Sequence, residues 1–294
     1  MVFHKLTARK HDPLPLRGDI TQYDSQELRR LQQAELEILD AIDALCQREG
    51  ITYFLDGGSV LGALRHEGFI PWDDDIDLGM PRPDYDRFIE AARTSLPDNL
   101  TLALPGETPN YAPMFAKVMR KGTKFLTEET LEAGFDQGIF VDIFPYDDLS
   151  PNEKIARSQL RQARFWQSAS YLYHAKSVHV PHRGIVGSIE SAACKGCHYA
   201  LRLLLNEEKL HTRFNESLNT DTEGSTRCAT LAWAQSEGYD TDDMLPTRLE
   251  SFEGRKLPVP GNAEAYLTRT YGSNWRSLPP LDQRQNHAPI ELAF

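Results

Sequence analysis

The chain has 294 residues, with 40% hydrophobic and 26% charged side chains, an ordinary globular balance that excludes extensive disorder. Its 32 basic and 43 acidic side chains leave a formal net charge of −11, which argues against general nucleic-acid binding, because neutralising a phosphate backbone needs clustered Lys and Arg. Cys46, Cys194, Cys197 and Cys228 are too few for a disulfide scaffold, the first twenty residues lack an apolar signal-like core, and no apolar run reaches the roughly 18 residues of a membrane span.

Those features predict a cytoplasmic protein without a transmembrane segment, with the inner membrane face as an alternative place of work. Residues 1–22 read as an extended lead-in carrying Pro13 and Pro15. A helix follows. Asp24 suits its cap and Glu27 completes a capping-box pattern; Leu28, Leu31, Leu36, Ile38, Leu39, Ile42 and Leu45 fall near helical spacing, and Gly50 suits the stop. Residues 51–55 predict a short strand. Gly57-Gly58-Ser59 comes next, then a helical stretch over 60–66 and a turn over 68–72. Residues 75–80 predict a second strand, and 84–95 a helix with Tyr85, Phe88, Ile89 and Ala92 on one face. Further strands are expected over 115–119 and 138–144. Residues 152–215 read as mostly helical, interrupted near 181–187, and short turns with several prolines follow from about Glu250. The sum is an α+β fold in four parts: a lead-in (1–22), a catalytic core of mixed sheet flanked by helices (23–150), a mainly helical section (151–250), and a C-terminal segment that returns to the core (251–294).

The chemistry sits in Asp73-Asp74-Asp75-Ile76-Asp77. Side chains alternate across a strand, so Asp75 and Asp77 share one face while Ile76 and Leu78 take the other. Carboxylates that close repel unless a cation lies between them, and Mg²⁺, which takes oxygen ligands and is completed by substrate phosphates, is the natural candidate, with Mn²⁺ as the alternative. Asp73 and Asp74 by themselves also fit a solvated acidic turn. Asp142 is the only charge in an apolar strand, which is costly unless partnered; a metal shared with Asp75 and Asp77 would solve this, and a buried Asp bonded to amides or an arginine is the alternative. Gly57-Gly58-Ser59 stands between a strand and a helix, where glycine lets backbone approach a phosphate and Ser59 can cap the helix or donate to a phosphate oxygen. Arg65, His66, Lys117 and Arg120 are the basic residues that could face the phosphates. Cys194-Lys195-Gly196-Cys197 lacks the second matched pair a structural zinc site needs. The run 199–205 is apolar apart from Arg202 and predicts a core helix, with a surface near a lipid-linked acceptor as the other reading.

The block Phe54-Leu55-Asp56-Gly57-Gly58-Ser59-Val60-Leu61-Gly62-Ala63-Leu64-Arg65-His66, continued through Gly68-Phe69-Ile70-Pro71-Trp72-Asp73-Asp74-Asp75-Ile76-Asp77-Leu78, resembles the signature of the LicD family, and fukutin-like proteins share its core. Residues 82–88, 140–145, Phe252-Glu253, 257–260, Tyr266-Leu267, Tyr271-Gly272 and His287 are similar too; the matching blocks span about half the chain. The resemblance implies a nucleotidyltransferase-like fold. It also implies a transferase that moves a phosphorylated alcohol, phosphocholine in the best-known case and ribitol phosphate in others, from a CDP-alcohol donor to a glycan or lipid-linked glycan, with CMP released. It assigns the metal to Asp75 and Asp77 with Asp73 and Asp142 as partners, and the substrate phosphate to Gly58 and Ser59. Asp142 or His287 would take the acceptor proton, or His287 would bind phosphate. If choline is carried, Trp72 could offer its ammonium an aromatic face, although packing is the plainer role. Two other readings stay open: a nucleotidyltransferase that modifies a small molecule or protein and releases pyrophosphate, and a non-catalytic nucleotide- or metal-binding module.

Overall fold

The computed structural model describes residues 23, 25–176, 184–233, 237–284, 286–287 and 289–294. The expected lead-in, the expected cap Asp24 and residues 181–183 of the interruption lie outside them. The first helix, α1 (Ser25–Glu49), buries the stripe Leu31, Ile38, Leu39, Ile42 and Leu45, and Gly50 ends it at φ 61°, where a side chain would be strained. A two-residue strand β1 (Phe54–Leu55) then feeds α2 (Gly57–His66), and the acidic loop leads into β2 (Asp77–Pro81), which pairs antiparallel with β1. Helix α3 (Arg82–Ser95) follows at once, buried through Tyr85, Phe88, Ile89 and Ala92.

Strands β3 (Leu100–Ala103) and β4 (Ala116–Arg120) pair antiparallel. After β5 (Lys124–Leu126) and α4 (Glu128–Ala133) comes β6 (Phe140–Asp148), the longest strand, buried over its first eight residues. Burial on both faces is what places β6 in the middle of the sheet: it runs parallel to β2 on one side and antiparallel to β4 on the other. The main path is β1-β2-β6-β4-β3, and β7 (Arg227–Ala229) and β8 (Tyr239–Asp240) extend the far end of β6, making a seven-stranded mixed sheet. The fold is α+β.

Among the described residues, three helices stand between β6 and β7: α5 (Glu153–His174), α6 (Gly184–Leu204) and α7 (Glu207–Leu218). Asn152 caps α5 and Asn206 caps α7. The run 199–205 is not core, against expectation. Tyr199, Leu203 and Leu204 are 65%, 85% and 70% exposed, because α6 turns its His198 face inward, where His198 Nδ1 meets the Leu172 carbonyl at 2.8 Å. Cys194 and Cys197 lie on α6, and among the described residues they join no cluster of three potential metal ligands. No helix among the described residues is long and apolar enough to cross a membrane.

The rest of the chain packs on the first half. A short helix α8 (Thr241–Met244) precedes the hairpin β9 (Arg248–Phe252) and β10 (Arg255–Val259), whose two-residue turn Glu253-Gly254 has φ 48° and 76°. Glu253 accepts from Arg29 of α1 at 2.7 Å and from the Phe69 amide at 3.3 Å, so the hairpin tip ties α1 to the segment that enters the acidic loop. Helix α9 (Ala263–Tyr271) sits by α2, and β11 (Glu291–Ala293) pairs with β5.

Candidate active site

The site starts at the first turn of α2. Asp56, not Ser59, is the cap: its Oδ1 accepts from the Gly57 amide at 2.9 Å, from Tyr146 Oη at 2.7 Å and from Tyr266 Oη. Burial pushes the Asp56 carboxyl above the ordinary range even though all three donations pull it down. The helix therefore opens at Gly57 rather than at residue 60, and Ser59 falls inside its first turn. Buried there, Ser59 Oγ accepts from the Asp77 amide at 3.0 Å and braces the start of β2. Gly57 has φ 49°, and a Cβ at Gly57 would lie 3.1 Å from Asp77 Oδ2; one at Gly58 would lie 3.0 Å from Asp73 Oδ2. Only glycine lets a helix N-terminus sit this close to two carboxylates, and the partial positive charge of the helix end favours them there.

The sheet supplies the other side. Asp77 on β2 pairs in register with Asp142 on β6, and Asp142 pairs in turn with Lys117 on β4. Lys117 and Asp142 are both buried, with Nζ and Oδ1 2.5 Å apart, and the ammonium lies 3.6 Å from the centre of the Phe140 ring. Burial pushes Asp142 up to about 6 while Lys117 holds it from going higher. Lys117, a free candidate for phosphate in the sequence, is therefore committed to a carboxylate.

Between α2 and β2, the acidic segment turns inward. The strand begins at Asp77 rather than Asp75, so Asp75 belongs to the loop. Asp74, for which a solvated turn is the alternative reading by sequence, has no solvent exposure. It accepts from Tyr23 Oη at 2.9 Å and from the His287 amide at 2.9 and 3.0 Å, and His287 Nδ1 lies 3.2 Å away. His287 Nδ1 is also 3.4 Å from Asp75 Oδ2. The charge of Asp75, then the bond to Asp74, pushes the imidazole up to about 10, although the ring is 64% exposed and solvent screens the pair. Burial raises Asp73 and Asp77 well above the ordinary range, and Asp75 is the next cause in both; Asp75 itself is raised by burial.

The structure does not bring every expected residue here. Arg120 ends β4 and pairs with Glu37 of α1 at 2.6 Å. Arg65 and His66 end α2, where Arg65 donates to the carbonyls of Trp275 and Ser277 at 3.0 and 3.3 Å and to His66 Nε2 at 3.0 Å, while the Arg65 charge still bears on Asp73. Trp72 is half-buried with the Arg284 guanidinium 4.7 Å above its ring. Conversely, sequence reasoning missed Tyr23, Asp56, Tyr271 and Glu35. Tyr271 Oη would stand 3.9 Å from a Cβ at Gly57, and burial followed by the charges of Asp73 and Asp77 pushes its phenol up. Glu35 is fully buried, and after burial the charges that raise its carboxyl are those of Asp75, Asp74, Asp73 and Asp142. A signal for it existed, since Glu35 falls in phase with the stripe Leu31, Ile38, Leu39 and Ile42.

Residues 50–183 match the family model LicD/FKTN/FKRP, nucleotidyltransferase domain. The chain carries a LicD-family domain. It is 27% identical over 268 residues to the lipopolysaccharide cholinephosphotransferase LicD of Haemophilus influenzae, covering 88% of this chain and 96% of that protein. It is 43% identical over 53 residues to the human ribitol 5-phosphate transferase FKRP, covering 18% of this chain and 10% of that protein.

The LicD-family span contains the α2 start, the acidic loop, β2, β4 and β6, while Glu35 and His287 approach the same cluster from outside it. Together the cluster gathers Asp73, Asp74, Asp75, Asp77, Asp142 and Glu35 against Lys117 and His287. Burial is the first cause that raises the carboxyls of Asp73, Asp75, Asp77, Asp142 and Glu35, and neighbouring carboxylates add to it. All of the surplus donors are hard oxygens, which suits Mg²⁺ or Mn²⁺ and not a thiolate-seeking metal. Among the described residues, the potential ligand atoms that lie within 4.8 Å of one another belong to Asp74, Asp75 and His287, a set that fits a divalent cation at the acidic loop.

Proposed function

We propose that the chain is a divalent-cation-dependent transferase that moves a phosphorylated alcohol, phosphocholine first among the candidates, from a CDP-alcohol donor to a glycan or glycolipid acceptor and releases CMP. The observation that carries this reading is the approach of Asp73 and Asp77 to the glycine-opened N-terminus of α2, with Asp142 in register beside Asp77, within a LicD-family domain. The names of the two relatives point the same way, to transfer of choline phosphate and of ribitol phosphate.

Asp75, Asp77 and Asp142, with Asp73, would hold the cation. When bound, Mg²⁺ supplies Lewis-acid charge toward the donor diphosphate and the leaving CMP oxygen. The remaining work belongs to the protein, since phosphoryl transfer depends on positioning and charge more than on covalent catalysis. Lys117 fixes Asp142 in orientation and lowers the cost of its burial. Gly57 and Gly58 keep the helix end free of side chains, so a phosphate can come close to the carboxylate site. His287 is held protonated at neutral pH by Asp75 and Asp74, so taking the acceptor proton falls to a carboxylate of the cluster, Asp142 being the candidate named by the sequence. His287 then acts as a fixed cation on the exposed rim, suited to an incoming phosphate. Arg65 holds the Trp275–Ser277 turn through two carbonyls, and its charge also bears on Asp73.

The test is a donor screen: the protein with Mg²⁺, a panel of CDP-alcohols and nucleoside triphosphates, and candidate glycans, followed for CMP and pyrophosphate. CMP from one CDP-alcohol, lost with EDTA, is the expected result. Pyrophosphate from a triphosphate, with no CMP from any CDP-alcohol, would replace this reading with nucleotide transfer.

A further inference from the structure

We propose that α6 is a membrane-docking helix, which lays its outward face into the surface of an anionic bilayer with Lys195 and Arg202 at the lipid headgroups. Ile189, Tyr199, Leu203 and Leu204 fall on one side of α6, with only alanines and a glycine at the three- and four-residue steps between them, and all of these positions are exposed. No charged residue interrupts the stripe. The opposite side packs on α5, where His198 meets the Leu172 carbonyl. An ordinary surface helix turns its apolar stripe to the core, whereas α6 turns this one to water, and a continuous exposed apolar patch marks a surface that meets something.

The charges beside the stripe say what would cover it. Lys195 and Arg202, one heptad apart, stand together along one border, and both are exposed. Among the described residues neither meets an acidic side chain; Arg202 lies 5.4 Å from the centre of the Tyr173 ring instead. The only acid in α6, Glu190, is half-buried and off the stripe. In a chain of net charge −11, this border is therefore positive. An anionic bilayer answers both features, with acyl chains for the stripe and phosphates for the two cations. Tyr199 suits the depth between them, where amphipathic aromatic rings gather. A second copy of the chain, docked through the same face, would bring the same two cations and no acid to meet them. No described helix is long and apolar enough to cross a membrane, so α6 lies along the surface.

The experiment is flotation of the full chain with lipid vesicles, in EDTA and without any donor, so that its outcome stands apart from the transferase reading. Vesicles of phosphatidylcholine alone are compared with vesicles that also contain phosphatidylglycerol, at low and high salt. The wild type should float with the anionic vesicles, far less with phosphatidylcholine alone, and less in high salt. The double variant Leu203→Ser, Leu204→Ser should bind about tenfold or more weakly, because two leucines no longer enter the lipid. The double variant Lys195→Gln, Arg202→Gln should bind about tenfold more weakly and lose most of the salt dependence. Both should melt with the wild type. A wild type that floats with no vesicle, or wild-type binding in both variants, would overturn the inference. So would a lower melting temperature in the serine variant, which would show this face covered in the free protein. Light scattering adds a last outcome: a wild-type dimer that the two serines convert to monomer would give the face to a second copy and overturn membrane docking.

Discussion

The start of α2 and the outer face of α6 depart from ordinary burial in opposite directions. Around α2, carboxylates are drawn out of water: Asp74, Asp142, Asp56 and Glu35 are all buried, and three of the four have protein partners. Along α6, large apolar side chains stand in water: Ile189, Tyr199, Leu203 and Leu204 are each more than 60% exposed. The two departures carry different information. An exposed leucine costs a folded protein little, because much of any protein surface is apolar. A buried carboxylate set with too little countercharge is expensive, and it persists only where packing elsewhere over-determines the fold and a ligand recovers the cost. Function is therefore easier to read from the charged anomaly than from the apolar one.

Packing under the site should be the most sensitive to change. Phe54 is 1% exposed, lies edge-on to Tyr146 with ring centres 5.0 Å apart, and fills the space over Gly79. Phe54→Ala should cost about 3–5 kcal/mol in urea denaturation, and a loss well below that would mean that the sheet beneath Asp56 and Asp77 is not the rigid support described above.

The electrostatic ring around the cluster should show a smaller effect with a definite sign in pH. His287 is raised from 6.5 to about 10 by Asp75 and Asp74, so the pairing stabilises the fold fully below about pH 6.5 and fades as pH rises through about 10. In EDTA, His287→Gln should lower Tm at pH 6.5, with a deficit that shrinks steadily toward pH 10. A deficit independent of pH would contradict an imidazolium held between the two carboxylates.

The smallest effect belongs to the other region. Leu203→Ser on α6 should change stability by no more than about 0.5 kcal/mol, because the side chain is 85% exposed. A loss several times larger would mean that this face is covered in solution.

What could be read from the sequence was local. Gly57 and Gly58, Asp75 and Asp77, and the apolar strand around Asp142 are each defined by neighbours within a few residues, and the α+β order follows from their succession. What could not be read depends on distant chain. Asp56 became the cap because Tyr146 and Tyr266, 90 and 210 residues away, donate to it. Asp74 is buried because Tyr23 and His287 close over it from 51 and 213 residues away. Arg120 was lost to Glu37 on α1, a pairing that no local pattern announces. The run 199–205 misled because apolarity alone does not say whether another element will cover it. Glu35 was the legible exception: a charge in phase with an apolar helical stripe.

We propose that the carboxylates around the start of α2 lack full neutralisation so that a cation can bind them. Thermal unfolding of wild type and Asp77→Asn, each in EDTA and in Mg²⁺, tests it most directly. Asp77 is raised by burial and by Asp75 and Asp142, so removing its charge should leave the metal-free Tm equal or higher, while the rise in Tm that Mg²⁺ gives the wild type should largely vanish. An Asp77→Asn protein that melts lower in EDTA yet gains as much from Mg²⁺ as the wild type would exclude a cation held by Asp77.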